Sequence, residues 1–76
     1  MTFGRLSVED GMTVVDPDMV EIGQVQQRLE SDFVVSRPQA GAVVVPYDMI
    51  QAIMGSRVVI KVHAADVHTL PAARTA

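Results

Sequence analysis

With 76 residues and no cysteine, the chain has material for one small domain and none for disulfides or thiolate zinc sites. A composition of 49% hydrophobic against 20% charged residues excludes a disordered chain, which needs the opposite balance. The net charge of −3 argues against a broad nucleic-acid or anionic-membrane footprint, because clustered Lys and Arg would be needed for either.

Residues 1–10 read as a lead-in, 11–63 as the folded domain and 64–76 as a loosely held tail. The first five residues carry neither a long apolar core nor a small-residue cleavage site, so no export signal is expected. No apolar run approaches the roughly 20 residues that span a bilayer. A cytoplasmic protein with no direct membrane insertion is the resulting expectation.

Gly11 opens the first strand, Met12-Thr13-Val14-Val15, which the turn Asp16-Pro17-Asp18 ends. Proline presets φ there, and Asp carboxylates bond nearby backbone amides. A second strand is expected from about Val20 to Leu29. Ile22 has one parity while Val25, Gln27 and Leu29 have the other, and Gly23 sits at the break. A β-bulge at Gly23 would return both sets to one face. Phe33-Val34-Val35 follows as the third strand, with Phe33 and Val35 inward, and Arg37 to Gly41 as a loose loop.

Ala42 to Val45 forms the fourth strand, whose three successive valines leave its inward face open. Pro46 ends it and starts a short helical turn, in which Ile50 and Ile53 share a face. Gly55 and Ser56 close that turn. The fifth strand runs from Arg57 to His63, with Val58, Ile60 and Val62 alternating against Val59, Lys61 and His63. Ala64 to Val67 has the makings of one helical turn, and Pro71 limits any extension. The predicted fold is therefore all-β, a small five-stranded SH3-like barrel with one helical turn between strands four and five.

Three pieces of this sequence resemble the PRC-barrel-like domain family. They are Gly11-Met12-Thr13-Val14-Val15-Asp16, then Glu21-Ile22-Gly23-Gln24-Val25 with its Ile-Gly-x-Val, then Val45-Pro46 followed by Ile50, Ile53, Gly55 and Val58-Val59-Ile60-Lys61-Val62. The family occurs in the H subunit of bacterial photosynthetic reaction centres, in a ribosome maturation factor and as small stand-alone bacterial proteins. The resemblance implies the same small barrel, with Gly11, Gly23, Pro46 and Gly55 in structural roles. It also implies a non-enzymatic accessory or scaffold role, extending to electron-transfer or membrane-associated complexes. The chain departs from the family at the first hairpin, where the usual Asp-Gly is Asp18-Met19 followed by Val20. Neither residue favours a positive φ, so this turn is expected to be built differently.

No constellation of residues points to catalysis. His63, Asp66 and His68 offer metal-ligating atoms, but an exposed strand face and a loose tail do not make a closed site. Asp16, Asp18 and Glu21 cluster without the spacing of a calcium loop. No phosphate-binding glycine loop and no nucleophile elbow is present. No cofactor, no metal and no small-molecule substrate are expected.

What the sequence does over-supply is apolar surface. An exposed Met19-Val20 tip, Val44 and Val59 on the outer face of strands four and five, and the adaptable Met49 and Met54 are the candidate partner-binding residues. The expected function is protein binding, either self-association into a homo-oligomer such as a dimer or docking to a larger protein. Charge is uneven in a way that suits docking: two Arg against seven acidic residues up to Ser36 give −5, and four basic against two acidic residues beyond give +2. The alternative is a ribosome- or RNA-associated accessory protein using Arg28, Arg37, Arg57 and Lys61, with Phe33 and Tyr47 the nearest aromatics. Those cations are scattered, and aromatics interleaved with basic residues are missing.

Overall fold

The computed structural model describes residues 4, 7–38 and 40–72. Six strands form one sheet: β1 (Thr13–Val15), β2 (Glu21–Arg28), β3 (Asp32–Arg37), β4 (Ala40–Pro46), β5 (Ile50–Met54) and β6 (Arg57–Ile60). A 3-10 turn, Tyr47–Met49, separates β4 from β5, and a 3-10 helix, Ala64–Thr69, follows β6. Strand order in the sheet is β4-β3-β2-β1-β6-β5. All neighbours are antiparallel except β1 and β6, which pair parallel with Val14 opposite Val58. Among the described residues, no helix is long and apolar enough to cross a membrane.

This architecture is all-β as expected, but it corrects two features of the expectation. Among the described residues the sheet is not closed into a barrel, because no pairing joins its end strands β4 and β5. It also has six strands, not five. The additional one is β5, which occupies the stretch read as a helical turn. Helical structure stops at Met49, and Ile50 already has extended angles of φ −74° and ψ 126°. Ile50 and Ile53 stand three apart, which suits one helical face, yet here a register shift between Ile50 and Ala52 does the same work in a strand. Gly55, at φ +61°, then makes the β5–β6 turn that L-residues resist.

Valines and isoleucines explain why the chain is sheet. Their β-branched side chains pack well on a pleated surface and lose χ1 freedom in a helix. Every strand contributes to a single core. Val14, Ile22, Val25, Phe33, Val35, Val43, Val45, Ile50, Val58 and Ile60 meet there, joined by Val8 and Val67 from outside the sheet. Residues from both end strands share this cluster, so the sheet curls around it into a body of 30 × 27 × 19 Å.

Phe33 and Val35 are inward, as their spacing predicts, and the valine run of β4 resolves with Val43 and Val45 buried and Val44 half-buried. Ile22 and Val25 both reach the core despite opposite parity. The β1–β2 register slips at this point, pairing Val14 with Gly23 and Val15 with Glu21. Gly23 itself lies under β3, where a Cβ would collide with the Ser36 carbonyl oxygen. A second slip between Val25 and Gln27 leaves Gln27 exposed, and Leu29 falls outside the strand at the surface.

Described residues of both flanking segments are tied to the domain. Val8 is fully buried, and its carbonyl accepts a bond from Arg28 Nη1 at 3.0 Å. Gly11, at φ +89°, donates its N–H to the Val25 carbonyl at 2.8 Å. The helical turn expected after His63 forms and buries Val67. Strand β6 ends at Ile60, three residues earlier than predicted, and Val59 is buried along with Val58 and Ile60. The supposed loose loop after Arg37 is a hairpin, in which Arg37 Nε donates to the Gly41 carbonyl at 2.8 Å.

Candidate functional site

The turn between β1 and β2 is organised by one carboxylate. Asp16 is the buried acidic residue of the described chain, 3% exposed. Its Oδ1 accepts the backbone N–H groups of Asp18 at 2.9 Å and Val20 at 2.8 Å. Oδ2 accepts the N–H of Ala64 at 2.9 Å, forty-eight residues further along the chain. The Asp16 backbone closes the loop as well, donating to the Val20 carbonyl and accepting from the Met19 N–H. One side chain therefore fixes the turn and fastens it to the start of the 3-10 helix. The Asp-Pro-Asp sequence foretold the local bonds; nothing local could foretell the bond to Ala64.

These bonds hold the Asp16 carboxyl below its ordinary value of 3.8. The Ala64 N–H contributes most. Burial works in the opposite direction but is smaller than the Ala64 contribution, and the Val20 and Asp18 amides and the nearby His63 lower the value further.

Clamped in this way, Met19 sits at φ +66°, in the left-handed region. The sequence predicted a turn that avoids this conformation at a non-glycine residue, and that expectation fails. The chain keeps a glycine-type turn and imposes it on a methionine by bonding the amides on either side. Met19 is 43% exposed and Val20 49%, between the exposed acids Asp18 and Glu21. His63 Nδ1 stands 3.4 Å from Asp18 Oδ2.

The other candidate residues are dispersed. Met54 is 55% exposed at the end of β5, and Met49 is half-buried against the core. Val59 is 3% exposed and offers no contact surface, because β6 is covered on both sides. Strands β4 and β6, which were expected to present one outer face, have β3, β2 and β1 between them in the sheet. Of the structural residues, Pro46 precedes the 3-10 turn at φ −63°, and Gly11, Gly23 and Gly55 occupy the positions described above.

Asp16, Asp18 and His63 are the described group whose donor atoms fit a metal, all within 4.8 Å of one another. The sequence offered Asp16, Asp18 and Glu21 as one set and His63, Asp66 and His68 as another; the fold instead joins two residues of the first with one of the second. Both Asp16 oxygens already accept backbone N–H groups and Asp18 faces His63, so these side chains hold the turn and no ion is assigned to them. Phe33 and Tyr47 stack on each other inside the molecule, ring centroids 5.5 Å apart, with the Tyr47 hydroxyl donating to the Leu29 carbonyl at 2.6 Å. Neither ring is presented to a nucleobase. No family model matches the chain, and no curated protein matches it either.

Proposed function

We propose that this chain is a non-enzymatic protein-interaction module, a PRC-barrel-like scaffold or accessory subunit that docks through the Asp18–Glu21 tip. The observation that carries this reading is Met19: an apolar residue held in a strained conformation with its side chain turned to solvent. Strain of this kind costs about 1–3 kcal/mol and persists where the surroundings over-determine it, typically at binding sites. The buried Asp16 clamp supplies that over-determination. A tip already fixed in one shape loses little entropy on binding, which favours affinity from a small apolar contact. Asp18 and Glu21 beside it would steer the tip towards a partner with basic residues around its pocket.

The test is light-scattering mass across a dilution series, together with affinity capture from lysate with and without RNase, on the parent and a Met19→Ser/Val20→Ser variant. Concentration-dependent association or an RNase-resistant protein partner, lost in the variant, supports the proposal. A monomer whose partners all vanish with RNase would transfer the assignment to the ribosome-associated alternative. Partner binding that survives the double substitution would remove the tip from the interface.

A further inference from the structure

The two ends of the sheet are treated differently by the rest of the chain. Along β4 the Val44 N–H points away from β3 and donates to the Pro71 carbonyl at 2.8 Å, and Ala72 bridges antiparallel to Val43. Pro71 and Ala72 thus lie on the outer edge of β4 as a rudimentary seventh strand. Its upstream anchors are in the core: Val67 is buried, and Leu70 packs against the same cluster.

Strand β4 needs such a cover. A strand edge is a template for another strand, and proteins normally guard edges with charge, proline, bulges or a covering segment. The sequence Ala40-Gly41-Ala42-Val43-Val44-Val45-Pro46 has no charge anywhere along it. Pro46 faces the same way as Val44 and lacks an N–H, which guards one end. A register shift lies at the other, between Val35 and Arg37 of the facing strand. The regular, β-branched centre has only Pro71 and Ala72 over it among the described residues.

We infer that the Pro71–Ala72 segment is an autoinhibitory strap, and that its release opens β4 to antiparallel pairing with β4 of a second copy of this chain. A second copy fits because an uncharged strand paired antiparallel about a twofold axis is its own complement and meets no like charge. The edge has already accepted an antiparallel segment through backbone bonds alone, which require no particular side chains of the incoming strand. The strap is independent of the Met19 tip.

The experiment compares the intact chain with a chain ending at Leu70 and with a Pro71→Gly/Ala72→Gly variant. The second variant keeps Val67 and Leu70 and hence the core. Mass is read by light scattering over a dilution series, and the Val44 amide by hydrogen exchange. Release should raise the mass towards twice that of the intact chain as concentration increases. The Val44 amide should exchange readily when dilute and become protected as the mass rises. If neither altered chain exceeds the intact chain's mass at any concentration, the inference fails. It also fails if the mass rises while the Val44 amide stays unprotected, since association would then use another surface.

Discussion

Met19 and Asp16 form a couple in which one residue holds the other in place. A left-handed conformation costs an ordinary L-residue about 1–2 kcal/mol, whereas glycine adopts it freely but gives up more chain entropy on folding. Met19→Gly should therefore stabilise the protein by about 0.5–1 kcal/mol in urea unfolding, while abolishing docking through the tip. A more stable protein that no longer binds is the signature of a residue retained for contact. Asp16 is the other half. Its carboxyl is lowered in the folded state, so its contribution is fully present above the unfolded value near 3.8 and is lost as pH falls through the lower, folded value. In Asp16→Asn, an amide nitrogen must oppose the Ala64 N–H or surrender one of the Asp18 and Val20 bonds. Thermal melts from neutral pH downwards should show a lower midpoint for the variant at neutral pH. They should also show a shallower acid decline than the parent's.

At the scale of elements, register is set where chains approach most closely. Gly23 leaves no room for a side chain beneath the Ser36 carbonyl, which belongs to backbone and cannot swing aside. Gly23→Ala should cost about 1–3 kcal/mol, the usual range for overpacking, measured by denaturant unfolding, with the β2–β3 amides losing exchange protection first. Sequence reasoning could locate Gly23 because the parity of Ile22 and Val25 conflicts there, and a bulge is the economical remedy. It could place Phe33 and Val35 for the same reason, by period two. It could not separate β5 from a helical turn, since Ile50 and Ile53 satisfy both a helix face and a bulged strand. Nor could it see that Val59 is covered, because alternation reports one buried face and β6 has two. The Asp16 clamp was half legible: its bonds to Asp18 and Val20 are local, whereas its bond to Ala64 and the neighbouring His63–Asp18 contact exist only once β1 and β6 lie side by side. The Met19–Val20 tip was readable as exposed, and its strain was not.

For the molecule as a whole, thirteen buried residues among those described share one core. Phe33 is its largest fully buried side chain and is stacked on Tyr47. Phe33→Ala should cost roughly 3–5 kcal/mol, about all that a domain this small has available. Circular dichroism should find the variant largely unfolded at room temperature, with a single transition in the parent. The parallel pairing of β1 with β6 has a further consequence, in time rather than in energy. β1 lies between β2 and β6 in the sheet, and β6 ends at Ile60. β1, β2, β3 and β4 precede β6 in the chain and can pair in succession, but one flank of β1 stays bare until β6 has been made. Such long-range closure is slow compared with hairpin formation. The nascent protein therefore carries a strand with one bare edge until β6 follows, and its solubility in that interval depends on how quickly that strand arrives.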